Sequence, residues 1–346
     1  MEKGYALLMP DNTTSLAIRD SSNASTPVLL SPAKRSNESH VLAPTLFHQP
    51  WWLDIATNGQ YRMVETKRDG RVVGRMPFWL SKQFGYGFNR MPTLTHFLGP
   101  AIDEGVGGGN ARFLRRLTLT QELLAQLPPA VYFRQKMHRG VTDTLPFQMA
   151  GYHSSVQFTH EIAPQPEAII WQGMRDKTRN MVRKASRNII CETSDDPDFF
   201  IATYLRHLTA KNTLPSFDLK TCRDLIAACL SRNCGRIYMA RQKTDDFPAA
   251  IFCAWDQTAS YYLLSTRAPS SGNNANTFLL WEAIKHAAAQ GLIFDFAGVG
   301  SSGAVLFFAG FGAVIQPRYL AYRAGKIPHL LNDLRLLLGF EPSTFF

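Results

Sequence analysis

Four arginines, Arg175, Arg179, Arg183 and Arg187, recur at four-residue steps, with Lys177 and Lys184 between them. On a helix this spacing lays the guanidinium groups along one drifting stripe, where like charges repel. Only Asp176 lies inside the window to offset them. A bound polyanion relieves that repulsion, and the guanidinium fork suits phosphate. The competing reading is a solvated face paired to carboxylates elsewhere. A second candidate is the polar loop 267–276, with Arg267, Gly272, Asn273, Asn274 and Asn276. It opens a helical pattern, and a helix N-terminus presents free N–H groups and a positive dipole end to an anion. Gly272 permits close backbone approach, and Asn274 or Asn276 can cap; an ordinary capped turn is the alternative. A third candidate is Asp295, a lone carboxylate in the apolar stretch 292–297. An inward carboxylate is costly unless hydrogen-bonded. Burial that raises its pKa would make it a proton acceptor; the alternative is a strand-end aspartate bonding loop amides.

Other chemistries find no constellation. His96, His286 and Glu161 are isolated in sequence, and neither HExxH nor zinc-finger spacing occurs, so no metal site is expected. No Gly-x-Ser-x-Gly elbow appears, and Ser301-Ser302 has no evident base. The five cysteines, Cys191, Cys222, Cys229, Cys234 and Cys253, form no CxxC and read as reduced thiols, as in a cytoplasmic protein. Residues 1–10 lack a basic region followed by an apolar run, so no secretory signal is expected. The apolar run 304–315, broken by Gly310 and Gly312, is too short to span a bilayer. The expected location is the cytoplasm, with peripheral contact to the inner membrane face allowed by the charge.

The 346 residues are 45% hydrophobic and 18% charged, enough apolar content for packed cores. A formal charge of +10 favours acidic partners: phosphorylated cofactors, RNA or an anionic membrane face, with no DNA partner expected.

The elements that must position the candidates repeat. Residues 1–44 are Ser-, Thr- and Asn-rich and read as a flexible tail. Two strands, 61–67 and 71–81, flank the hairpin signal Asp69-Gly70. A third strand is expected over 93–99, then a helix to Leu127 with Phe113, Leu114, Leu117, Leu124 and Leu127 on one side. A strand at 131–133 and a short helix at 145–150 complete the set. The second half repeats the order: strands 236–241, 248–255 and 260–266, a helix to Gln290 with Gly291 as C-cap, a strand 292–296 and a short helix 304–309. Before it lie a helical face (Trp171, Met174, Thr178, Met181, Val182, Ala185, Ile189) and a helix over 217–230 with Ser216 as N-cap. A last strand is expected over 316–323. The shared βββαβα order predicts two similar units, 45–155 and 156–325, with 326–346 as a C-terminal helix or tail; a single mixed sheet is the alternative.

That layout resembles GNAT-type acyltransferases, and specifically the tandem, FemAB-like branch that includes cellulose-biosynthesis-type acetyltransferases. The residues behind it are Lys177-Thr178-Arg179 to Arg183-Lys184-Ala185, Leu280-Trp281-Glu282-Ala283-Ile284-Lys285, Phe294-Asp295-Phe296-Ala297-Gly298 and Phe307-Phe308-Ala309-Gly310-Phe311-Gly312, with Met91-Pro92 and Leu98-Gly99-Pro100 in the first half. The fold class expected is α/β with a mixed sheet and two tandem GNAT-like units. The resemblance implies direct acyl transfer from a thioester, acyl-CoA as co-substrate, to an amine acceptor, with the second unit catalytic. It implies donor-phosphate binding by Arg267, Gly272, Asn273, Asn274 and Asn276, and a donor or acceptor clamp at Arg175, Arg179 and Arg183. Asp295 would orient the amine or take its proton. Ordinary GNATs often place a tyrosine near Phe308 to protonate the leaving thiolate. Phe cannot donate, so Tyr261, Tyr262 or Ser265 would serve, and adjacent tyrosines on a strand point to opposite faces. Backbone N–H groups after Tyr262 would hold the oxyanion. Two departures are visible: loop 267–276 does not match the usual Q/R-x-x-G-x-G/A pattern, and no sustained helical arm of the kind carried by tRNA-dependent relatives is evident. The alternatives are an aminoacyl-tRNA-dependent peptidyltransferase and a non-catalytic module binding RNA or an anionic surface.

Overall fold

The computed structural model describes residues 41–83, 86–242, 247–269 and 274–324. The tail expected at 1–44 lies outside them apart from 41–44, as does the segment 326–346. Among the described residues, no helix is long and apolar enough to cross a membrane.

Helix α1 (Pro50–Thr57) leads into a hairpin of β1 (Tyr61–Arg68) and β2 (Arg71–Gln83). Asp69 and Gly70 connect them with φ of 51° and 76°, the left-handed pair whose twist matches an antiparallel ribbon. There follow β3 (Tyr86–Arg90), the two-residue β4 (Ala101–Ile102), α2 (Gly109–Ala125), β5 (Tyr132–Lys136), α3 (Leu145–Met149) and β6 (His153–Ile162). A linking segment carries α4 (Glu167–Gly173), α5 (Asp176–Ser186), β7 (Ile189–Ser194), α6 (Pro197–Thr209) and α7 (Leu219–Ser231). The chain then forms β8 (Gly235–Gln242), β9 (Ala249–Trp255), β10 (Ala259–Arg267), α8 (Asn274–Ala289), β11 (Ile293–Asp295), α9 (Ser302–Ala309) and β12 (Val314–Ala324).

The strands form one mixed sheet in the order β1-β2-β3-β5-β12-β6-β11-β10-β9-β8-β7, with β4 paired to β2. Leaving aside β4 and the edge strand β7, exchanging β1, β2, β3, β5 and β6 for β8, β9, β10, β11 and β12 reverses this order onto itself. The order is therefore pseudo-twofold, and each repeat gives its last strand to the other: β12 lies between β5 and β6, antiparallel to both. Within each repeat the third and fourth strands are parallel, β3 with β5 and β10 with β11. The expected α/β mixed sheet with a repeated order is the one observed.

One face of the second repeat packs on α5, α8 and α9 through Val182, Leu279, Phe296 and Phe308. The other packs on α1, α6 and α7 through Trp52, Phe200, Ile226 and Tyr261. The end of α9 is set tightly on α4 and α5. Arg175 N–H donates to the Gly310 carbonyl at 2.9 Å. A Cβ on Gly312, whose φ is +77°, would lie 2.7 Å from the Gly173 carbonyl oxygen. Glycine there supplies both the backbone angle and the space.

Several expectations are corrected. Residues 93–99 are not a strand: Pro92 and the positive φ of Leu94 (53°) break extension, leaving one bridge, Leu98 to Met137. The buried stripe of α2 is Leu119, Thr120, Leu123 and Leu124, while Leu114 is half exposed, because only the C-terminal half of α2 meets the sheet. The helical face from Trp171 to Ile189 is two helices, interrupted where Met174 is extended (ψ 147°), and Ile189 opens β7. The cap of α7 is Asp218, which accepts from Thr221 N–H at 2.8 Å, not Ser216.

Candidate functional site

Strands β10 and β11 run parallel only from Ala259↔Ile293 to Tyr261↔Asp295. β11 then ends, while β10 continues to Arg267. Against β9 the register of β10 skips Leu263, a bulge that bends the strand away. The separation opens a cleft of about 930 Å³. Tyr262, Leu263, Ser265, Phe296 to Gly300, His160 and Val305 line it from the second repeat and its neighbours. Met91, His96, Arg134 and Lys136 line it from the first.

The walls differ because alternate residues of a strand face opposite sides. Tyr262, Phe296, Phe308 and His160 belong to the face covered by α8 and α9: the Phe296 and Phe308 rings are 4.4 Å apart, Tyr262 and Phe308 6.2 Å, His160 and Phe308 6.0 Å. Arg134 and Lys136 line the cleft from β5, and Lys136 lies 5.6 Å from the centroid of Phe97 on the opposite face, where the buried Arg318 lies 5.4 Å from the same ring. The cleft thus has an aromatic wall and a basic wall.

Of the residues singled out in the sequence, the fold brings Tyr262, Ser265 and Asn276 together. Asn276, in the first turn of α8, donates to the Tyr262 oxygen at 3.4 Å. Burial pushes the Tyr262 phenol up to about 12, opposed by the Ser265 and Asn276 groups beside it. A phenol so placed stays protonated at neutral pH. Arg267 ends β10, half buried, and Asn274 opens α8. Gly272 and Asn273 lie outside the described residues. The adjacent Tyr261 faces the other way, as alternation requires, and donates to Asp256 at 2.7 Å.

Asp295 does not line the cleft. Its side chain is fully buried beneath it and already satisfied. Thr159 Oγ1 (2.6 Å) and Ala297 N–H (2.7 Å) donate to Oδ1. Arg139 and Arg318 each reach Oδ2 at 3.3 Å. Arg318 also pairs with Glu161, and Arg139 with Glu161 at 3.2 Å. Burial and the neighbouring Asp295 carboxylate push Glu161 up, against the two arginines. Asp295 and Thr159 (which accepts from Gly298 N–H at 3.0 Å) hold the turn after β11, where Ala297 has a φ of 59° and Gly298 123°. That turn is the cleft floor. Asp295 shapes the site from below.

No arginine of the stripe lines the cleft. Arg179 pairs with Asp176 and donates to the Gln172 carbonyl at 3.3 Å. Arg183 lies over the Trp171 ring at 5.3 Å. Arg175, Lys177, Lys184 and Arg187 are exposed.

Sequence reasoning passed over His160, Arg134 and Lys136, and treated His96 as a lone group. His160 is buried, and both ring nitrogens lack a hydrogen-bond partner; burial lowers its pKa. His96 is held at about 4 by burial and by Lys136. Lys136 is lowered to about 8 by burial and by Arg134. Only the basic alternation Arg134-x-Lys136 was visible in sequence, and nothing local says which side of the sheet it faces. Among the described residues, no group of His, Cys, Asp and Glu is assembled for a metal ion.

Comparison with known proteins bears on the fold. The family model described as acetyltransferase (GNAT) domain matches residues 172–303. No curated protein matches the chain. The solved structure of FemX superposes with a TM-score of 0.63 at 12% identity, over 86% of this chain and 98% of FemX. A C-terminal domain assigned to a lysylphosphatidylglycerol synthetase of Agrobacterium fabrum gives 0.54 at 14% identity, over 87% and 98%. L-PGS from Bacillus licheniformis gives 0.50 at 13%, over 83% and 91%. At such identities the likeness is one of fold. The chain carries the GNAT acyltransferase-type fold, and its sheet holds that fold twice.

Proposed function

We propose that the protein is a FemAB-like N-acyltransferase that moves an acyl group from a thioester donor, acyl-CoA, to an amine. The observation that carries this reading is the separation of β10 and β11 after Tyr261↔Asp295, with the cleft entering at that point. The donor lies along β10 on the aromatic wall, its phosphates toward the first turn of α8, where the positive end of the helix dipole favours anions. The acceptor amine attacks the thioester carbon. A C–N bond forms, a tetrahedral oxyanion develops, and the C–S bond breaks. Backbone N–H at the Leu263 bulge stabilises the oxyanion. His160, a buried imidazole with no partner of its own, takes the proton the amine gives up; its lowered pKa keeps it neutral and receptive at neutral pH. Tyr262, protonated and oriented by Asn276, with Ser265 beside it, gives a proton to the departing thiolate. No covalent enzyme intermediate is needed. Asp295 acts by fixing the turn at Ala297 and Gly298.

The exposed basic face of α5 favours a second reading, in which Arg175, Arg183 and their neighbours hold a donor carried on RNA.

The test is a thiol-release assay with acetyl-CoA and longer acyl-CoAs against a panel of amines. Release that depends on the amine, and falls ~10²-fold or more in His160→Gln, supports the reading. Absence of amine-dependent release with every thioester, in a protein that transfers from aminoacyl-tRNA, replaces it with the second.

A further inference from the structure

The basic wall of the cleft is undercompensated in charge. Arg139 and Arg318 share the carboxylates of Asp295 and Glu161. Burial and then Arg134 lower the Lys136 pKa, Asp295 raises it in part, and Arg318 lowers it further. Arg134 and Lys136 are two residues apart on β5, so they project from the same face. Both line the cleft. Among the described residues, neither has a carboxylate at ion-pair distance. Four cations therefore face two carboxylates, and one of those, Glu161, is itself pushed toward its neutral form. Partly buried like charges without a counter-ion are unfavourable. Lys136 can also be approached closely: its Nζ would lie 3.7 Å from a Cβ on Gly298, at the cleft floor.

Resting on the transfer reading above, we infer that Arg134 and Lys136 bind an acidic oxygen group, phosphate or carboxylate, on the acceptor. The acceptor is then an amine that also carries an acid, held on the basic wall while the acyl donor occupies the aromatic wall. A lysine and an arginine on one strand face give such a group a point charge and a planar fork. The bound anion restores the charge balance that the four cations lack. His96, neutral beside Lys136, adds a hydrogen-bonding partner without adding charge.

The experiment is calorimetric titration of the full-length protein at low salt with inorganic phosphate and, separately, with malonate. Saturable binding of either probe is expected, with chloride far weaker. The preferred probe says whether the acid is a phosphate or a carboxylate. Lys136→Met and Arg134→Gln should each weaken binding at least ~10-fold, with Arg112→Gln, an exposed residue on α2, unchanged. Removing either cation relieves repulsion, so both variants should melt no lower than the parent. If one fails to fold, the other carries the test. A second titration with CoA present separates the inferences. Binding of phosphate undisturbed by CoA supports an acceptor site. Competition between them assigns the anion to the donor and overturns it, as does a lack of binding by both probes. Phosphate binding without any CoA binding would instead sink the thioester reading and leave the anion site standing.

Discussion

Asp295, in the second repeat, holds Arg139, in the first, at 3.3 Å across the exchanged strands. The same carboxylate takes Thr159 and the Ala297 amide, so one buried group joins the two repeats and sets the cleft floor. This explains why an aspartate sits in an otherwise apolar strand. Its charge is needed where β6, β11, β12 and the segment after β5 converge.

Asp295→Asn should therefore act first on stability. It strands two arginines against one remaining carboxylate, a loss of about 3 kcal/mol for a broken buried pair. Urea unfolding of the variant should show a lower midpoint with an unchanged slope. A variant as stable as the parent would contradict the role of Asp295 as a hub.

The glycine set on α4 gives a comparison within one protein. Gly312 and Gly291 both have positive φ, 77° and 70°, but a Cβ on Gly312 meets the Gly173 carbonyl whereas one on Gly291 meets nothing within 4 Å. Gly291→Ala should cost ~1 kcal/mol, the left-handed penalty alone. Gly312→Ala should cost clearly more, ~2 kcal/mol or above, because the α9–α4 contact must also open. Thermal melts of the two variants check this, and equal losses would contradict the close approach.

Stability should fall with acid in a defined window. Burial holds His96 and His138 at about 4 and His48 well below its usual 6.5, with His138 also lowering His48. The unfolded chain binds these protons near 6.5 and the folded chain does not. Unfolding therefore becomes easier as pH drops from about 6.5 toward 4, by up to ~1.4 kcal/mol per pH unit for each histidine. Glu161, raised on folding, works in the opposite sense at the lower end. Denaturant midpoints at pH 7.5, 6 and 5 should decline in order. A flat series would mean that these rings are protonated in the fold.

Much of this architecture was legible in the residues. Asp69-Gly70 named its hairpin and Gly291 its cap, because each rests on local backbone chemistry; the repeated order pointed to the duplication, although the third strand of the first repeat is Tyr86–Arg90 and not 93–99. The exchange of β6 and β12 was not legible, since a strand's partner is set by tertiary closure and not by its own pattern. The site divided the same way. Tyr262, Ser265 and Asn276 could be found because a strand and the helix after it bring them together. Arg134, Lys136 and His160 could not, because they reach the cleft only through β5 and β6 pairing with the strand donated by the other repeat. The arginine stripe was visible in sequence, yet none of its arginines lines the cleft.

In the proposed reaction a thioester donor lies in the opening between β10 and β11. Calorimetric titration of acetyl-CoA tests it most directly, comparing the parent with Ser265→Trp. Ser265 is exposed at the cleft lining, so an indole there fills the opening without entering the core. Saturable binding by the parent is expected, with at least ~10-fold weaker binding by a Ser265→Trp variant of unchanged melting temperature. Equal binding by both, or none by the parent, would contradict it.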